Sequence, residues 1–299
     1  VHLAQAALLE RRATRVRPGR DDKTVAAWNG LALRALAQSA LVLGEDRFLD
    51  ATRRLVAFIR AALVRNGDRL WRSARDGAAT VPGFAEDYAM VADGLLAAHA
   101  ATGAADDLLL AERLMSRLDA DFWDEDTGTL FDTGPEHERS VARPRSLPDG
   151  ATPGANSVAA DVWLRLALLT AEPALDRRAR RILAAVGGAS ERQPTAFGRM
   201  LCAADRALRP PIDAVVAGAA DDPRSLALRR AAAAPYAPDL VITAVSGQPL
   251  ADRPLYAGKV ARDGGPTAYV CRGYTCEAPT ADPAMVGTQA AGLSAGATA

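Results

Sequence analysis

Two kinds of helix alternate along the first two-thirds of this chain, and few folds accommodate that order. The stretch Thr24 to Leu43 (TVAAWNGLALRALAQSALVL) is apolar nearly all round, the pattern of a helix buried on every side. Asp46 to Val64 follows, with Phe48, Leu55, Ile59 and Leu63 on one stripe and arginines opposite, so it faces solvent. The alternation recurs: Glu86 to Ala101 is of the buried type, and Asp107 to Leu118 is amphipathic through Leu108, Leu114, Met115 and Leu118. Asn156 to Thr170 is again buried in type, Ala174 to Val186 amphipathic, and Thr195 to Leu208 reads as one more inner helix. The first three units recur at intervals of roughly 60–70 residues, each pairing an inner helix with an outer one. Hairpin signals separate them: Leu70 to Ser73 and Ala78 to Val81 flank Arg75-Asp76-Gly77, and Phe122 to Asp124 and Thr129 to Phe131 flank Asp126-Thr127-Gly128. The pattern predicts a mainly α fold, a partial (α/α)6 toroid of helical hairpins. A flat solenoid would leave its inner helices a polar, exposed concave face, which these sequences lack.

After Pro210-Pro211 the pattern changes. Asp213 to Ala217, Leu240 to Ala244 and Thr267 to Cys271 read as strands, with a helix near 224–234, which predicts a small C-terminal α/β appendix. The expected division is therefore 1–209 for the toroid part, 210–285 for the α/β region, and 286–299 for a disordered Gly/Ala/Ser/Thr tail. Alanine supplies 67 of the 299 residues and aromatics only 5%, so helices packed through small side chains are expected. Thirty-six basic and thirty-six acidic residues cancel, which removes any chain-wide electrostatic case for nucleic acid or an anionic membrane. No apolar run reaches the length of about 20 residues that a membrane helix needs. Three cysteines cannot build a disulfide framework, and Cys271 and Cys276 read as buried or incidental thiols in a cytoplasmic protein.

Parallel inner helices gather their N-termini at one rim, where chemistry should concentrate. The segments there are Arg15 to Lys23, Phe84 to Tyr88 and Asp149 to Ser157, which bring carboxylates, amides and hydroxyls together. Two carboxylates across a pocket suit glycosidic chemistry, one protonating the leaving oxygen while the other activates water or attacks. Asp22 and Asp87 are the candidate catalytic pair. Arg17 and Lys23, one of only two lysines in the chain, are candidates for anionic groups; Trp28, Asn29, Tyr88, Asp149, Asn156 and Ser157 are the other substrate-binding candidates. The competing reading is helix capping, because Asp, Asn and Ser at these positions also satisfy orphan N–H groups. The pocket should line up Asp22, Trp28, Asp87, Tyr88 and Asn156 in one cavity. His2, His99 and His137 have no ligand spacing and lie outside the rim segments, so neither a zinc site nor paired-histidine catalysis is indicated. No phosphate loop, nucleophile elbow or dinucleotide fingerprint is present, and no cofactor or metal is expected.

In combination these rim residues resemble the thioredoxin-domain family that includes spermatogenesis-associated protein 20. The resemblance runs in order through Arg17-Pro18, Asp21-Asp22-Lys23, Trp28-Asn29-Gly30, Asp87-Tyr88-Ala89 with Gly94-Leu95-Leu96, and Phe122-Trp123-Asp124 with Gly128. It continues through Asp149-Gly150-Ala151 with Pro153, Asn156-Ser157-Val158-Ala159, and Tyr269-Val270-Cys271 with Cys276 and Pro279, spanning about residues 9 to 285. One departure is Pro153-Gly154-Ala155-Asn156-Ser157, where the family pattern is Pro-Ser-Gly-Asn-Ser and a hydroxyl is lost. The resemblance implies a barrel similar to N-acylglucosamine 2-epimerases and six-hairpin glycosidases, preceded in the full-length protein by a thioredoxin-like domain absent here. It implies a carbohydrate-metabolism protein with a small-molecule ligand, glycosidase-like or epimerase-like if active. The alternative it leaves is a non-catalytic scaffold or regulatory module concerned with redox or partner binding. An incomplete ring should also leave an apolar flank uncovered.

Overall fold

The structure is a computed structural model that describes residues 2–138, 141–247 and 250–295. It begins with α1 (His2–Ala13), which buries none of its residues. Then come β1 (Thr24–Val25), α2 (Ala26–Val42) and α3 (Asp46–Phe58), whose last turn loosens into a π-helical turn at Ile59–Leu63. Strands β2 (Val64–Arg65), β3 (Arg69–Arg75) and β4 (Ala78–Pro82) lead into α4 (Ala85–Thr102) and α5 (Ala105–Phe122). The short hairpin β5 (Trp123–Asp124) and β6 (Thr129–Leu130) precedes α6 (Ala155–Thr170), α7 (Pro173–Arg192) and α8 (Gly198–Leu208).

The inner helices pack in sequence, α2 on α4, α4 on α6 and α6 on α8, while α3, α5 and α7 back α2, α4 and α6 from outside. The chain is thus an arc of helical hairpins with a fourth inner helix. Both expected hairpins are present: β3 pairs antiparallel with β4, and also with β1 and β2, while β5 pairs with β6. Trp163 of α6 is wholly buried and meets the ring of Trp123 edge-on at 5.8 Å. Burying a side chain of that size stabilises the fold by roughly 2–3 kcal/mol before entropy is counted. One flank of α2 is exposed and largely apolar, through Trp28, Ala32, Ala35 and Val42.

The inner helices are not apolar throughout, which corrects the sequence reading. Asp93 of α4 and Asp161 of α6 are buried in the arc's interior, with Arg34 of α2, Arg165 of α6, and Arg199 and Arg206 of α8 around them. Asp161 accepts from Arg199 and Arg206 at 2.8 Å each and lies 3.0 Å from Arg165. Asp93 is bonded by Arg34 and Arg165, and by Arg199 at 3.4 Å. Burial alone would raise both carboxyls, but the surrounding guanidiniums outweigh it and hold both below the ordinary carboxylate range.

The α/β region comprises β7 (Ile212–Ala217), α9 (Pro223–Ala233), β8 (Leu240–Val245), β9 (Thr267–Arg272) and β10 (Thr275–Cys276). The strand order is β10-β9-β7-β8, with β7 and β8 parallel and the other pairs antiparallel. Val215, Val241 and Tyr269 belong to the same apolar core as the helices, so the expected small α/β appendix packs directly on the arc. Two expectations are corrected here. The tail is helical where described: α10 (Pro283–Ala295) places Val286, Ala290 and Leu293 at i, i+4 and i+7, and buries Val286 and Ala290, with Val286 against the α9–β9 layer. Pro283 opens it and Asp282 Oδ1 accepts from Ala284 N–H at 3.0 Å, a start signal the small-residue composition obscured. Residues 296–299 lie outside the described residues. Cys271 and Cys276, expected as thiols, are joined in a disulfide across β9 and β10, where the register sets them opposite each other. No helix among the described residues is long and apolar enough to cross a membrane.

Candidate functional site

A cavity of about 500 Å³ opens at the rim where α4 and α6 begin. Its walls come from three places: Arg72 of β3, Phe84 and Glu86 at the entry to α4, and the long connection between β6 and α6. That connection crosses the rim as a tied strap. Ala85 N–H donates to the Asp132 carbonyl at 3.0 Å, Asp132 N–H to that of Pro144 at 2.9 Å, and the Ser146 amide and hydroxyl both donate to the Asp132 carboxylate. Thr133, Ser146 and Thr152 add hydroxyl-bearing side chains to the lining. Arg72 lies over the Phe84 ring, 4.6 Å from its centre, and bonds Glu86 at 2.6 Å and Asp87 at 3.2 Å. Its guanidinium loses hydration to burial, but the two carboxylates more than offset that and hold the charge firmly.

Asp87 does not line this cavity. Its side chain is fully buried, with Oδ1 accepting from Ala27 N–H at 2.9 Å and Oδ2 from Phe84 N–H at 2.8 Å. It therefore caps its own helix and also the first turn of α2. Burial pushes its carboxyl up to about 6, against the N–H donors and Arg72 that pull the other way. Asp149 acts alike: Oδ1 accepts from Gly154 N–H, and Oδ2 from Arg199 and Met200 N–H, which caps α8. Buried Asn156 bridges to β6, accepting from Leu130 N–H at 2.8 Å and donating to the Leu130 and Ser146 carbonyls. Buried Tyr88 accepts at its hydroxyl from Leu70 N–H, and Ser157 Oγ is buried with no hydrogen-bond partner among the described residues.

The other candidates lie outside. Arg17, Asp22 and Lys23 sit on the exposed lead-in to β1, where Asp22 pairs with Arg20 and Lys23 with Asp21 at 3.1 Å. Trp28 is 62% exposed, and Asn29 donates to the Val25 carbonyl of its own helix start. The expectation that Asp22, Trp28, Asp87, Tyr88 and Asn156 share one cavity is therefore replaced. Two of the three rim segments, Phe84 to Tyr88 and Asp149 to Ser157, meet there while Arg15 to Lys23 stays outside, and the side chains that line the space include Arg72, Glu86, Asp132 and Thr152. His137 was placed away from the rim by sequence; its ring packs 4.4 Å from that of Phe84, with Nε2 on the Pro82 carbonyl. Among the described residues no group of His, Cys, Asp and Glu is arranged to hold a metal ion.

Asp87→Asn should cost about 1–3 kcal/mol at pH 7, because one amide N–H must then face a backbone N–H. The cost should grow as pH falls from about 6 toward 4. A buried carboxyl with a raised pKa takes up its proton in the folded state first, so wild type gains stability there and the variant does not. Urea unfolding of both proteins at pH 7 and pH 4.5 measures this. A loss under 0.5 kcal/mol at both values would show that the caps carry no weight.

The chain is 31% identical to human spermatogenesis-associated protein 20 over 293 residues, an alignment covering 92% of this chain. The chain is a homologue of spermatogenesis-associated protein 20. It spans 37% of the length of that human relative. No family model matches it. Among solved structures it is similar to cellobiose 2-epimerase from Spirochaeta thermophila, with TM-score 0.47 and 18% identity, over 56% of this chain and 44% of that one. A GH76 alpha-mannanase from Bacteroides thetaiotaomicron gives TM-score 0.47 and 13% identity, over 58% and 46%. In this homologue of spermatogenesis-associated protein 20 the rim carboxylates divide into two kinds, those spent on helix ends and those facing the cavity.

Proposed function

We propose that the rim cavity binds a carbohydrate, in keeping with a carbohydrate-metabolism role. One observation carries this reading: two carboxylates not spent on helix ends, Glu86 and Asp132, face an open cavity that Thr133, Ser146 and Thr152 also line. A polyhydroxylated ligand can donate to the remaining lone pairs of these carboxylates and accept from Arg72 and the lining hydroxyls, and the volume falls within the range of small-molecule sites. On this reading Glu86 and Asp132 accept ligand hydroxyls and Arg72 donates to ring or glycosidic oxygens. Asp87 works as a positioning residue, holding Arg72 against Phe84. The acid–base roles proposed for Asp22 and Asp87 then pass to Glu86 and Asp132 if the ligand is turned over. A second reading, a non-catalytic module that works with a thioredoxin-like domain, is favoured by the commitment of Asp87 and Asp149 to helix ends.

Calorimetric titration with cellobiose, mannobiose and a glucuronate-containing disaccharide tests both, with chromatography of the mixtures for products. At least one sugar should bind, and Glu86→Gln and Asp132→Asn should each weaken it tenfold or more. Binding without product supports the module; absence of binding by every sugar overturns the carbohydrate reading.

A further inference from the structure

A second cavity, of about 270 Å³, lies at the other end of the inner helices. The carboxyl-terminal halves of α2, α4 and α6 form one wall, and residues 232–233, 235–238 and 240–242, from the end of α9 into β8, form the other. Most of its lining is apolar, including Leu96, Leu169 and Ile242, with Gln38 as a neutral polar group. Its charged lining consists of Arg34 and Arg165, with no carboxylate.

Those two arginines belong to the interior cluster. Four guanidiniums there face two carboxylates, Asp93 and Asp161, which leaves two positive charges uncompensated. Asp239, the next acid on this side, is 3.4 Å from Arg209, and Arg206 reaches only its backbone carbonyl. Helix carboxyl ends carry partial negative charge, about half a unit each, which by itself disfavours an anion. Two full charges, one of them on Arg165 with only 12% of its side chain exposed, outweigh those partial charges. Arg34 commits one N–H to Asp93, and its side chain remains 27% exposed on the cavity side of the cluster.

We propose that this cavity binds a small amphipathic anion, its carboxylate or phosphate on Arg34 and Arg165 and its hydrocarbon body between Leu96, Leu169 and Ile242. The site is separate from the rim cavity and shares none of its lining. Cationic ligands are excluded by the same excess charge, and neutral ones lack a partner for it.

Calorimetric titration of the whole chain with octanoate, octyl phosphate and 1-octanol is the test. At least one anion should bind tenfold more tightly than 1-octanol, and the tighter of the two identifies the head group. Gln38→Glu, at an exposed position outside the arginine cluster, should weaken the anion at least fivefold and leave both 1-octanol affinity and melting temperature unchanged. Arg34→Gln should weaken the anion likewise. Equal binding of all three probes, no binding of either anion, or full anion affinity in Gln38→Glu would overturn the proposal.

Discussion

Asp161→Asn is expected to destabilise the fold by about 3–5 kcal/mol, the range for removing one partner of a buried ionic network. Asp161 is 1% exposed and faces Arg165, Arg199 and Arg206. An amide of the same shape keeps one acceptor, but leaves Arg165 and Arg199 to share Asp93 and takes from Arg206 its carboxylate partner. The sign with pH follows from the direction of the shift. A carboxyl held below its ordinary value of 3.8 contributes stability that is full above that value and declines as pH falls further. Urea midpoints at pH 7 should therefore separate wild type and variant widely, and the gap should narrow below pH 4. A gap under 1 kcal/mol at neutral pH would mean that water screens the cluster.

Gly30→Ala should be comparably damaging, for a reason of space. A Cβ at Gly30 would lie 2.4 Å from the Met90 carbonyl carbon and oxygen and 2.6 Å from Val91 N. Those are backbone atoms of α4, so the inner helices must part, at a cost of about 3 kcal/mol or more. Gly94→Ala meets Gly30 O at 2.6 Å from the opposite side of the same contact, and the two losses should not add. Gly187→Ala on the outer helix α7 is the control. Nothing lies within 4 Å of its Cβ, and helix propensity predicts a gain of about 0.5–1 kcal/mol. Thermal melts of the three variants decide it; a tolerated Gly30→Ala would mean that α2 and α4 slide freely.

The hairpin architecture was legible because inner and outer helices bury different fractions of their circumference, and that difference is written in the hydrophobic pattern. The rim was legible too, since parallel inner helices must bring Phe84 to Tyr88 and Asp149 to Ser157 together. Which carboxylate faces the cavity was not read correctly, although a local signal existed. Asp87 stands three residues after Phe84, the position whose side chain folds back over the helix start, whereas Glu86 one residue earlier projects outward. The interior arginine cluster was missed for another reason. Arg34, Asp93, Asp161 and Arg165 each look like an isolated polar residue on an apolar helix, and only the i, i+4 spacing of Asp161 and Arg165 hints at pairing. The Cys271–Cys276 bond depends on strand register, which five residues of spacing do not reveal.

The carboxylate of Asp87 closes the end of a helix that begins sixty residues before it. Thr24 to Ala27 offers no hydrogen-bonding side-chain cap of its own at the start of α2, so the end of that helix is incomplete until α4 has docked. A loop of that length must be closed before the bond rewards it, which ties the first inner helix to the second in a single cooperative unit. Fraying at the rim is thereby coupled to separation of the helices. The same contacts that hold Arg72 against Phe84 then report on whether the arc is intact, so the rim cavity exists as a shaped surface only when neighbouring hairpins are joined.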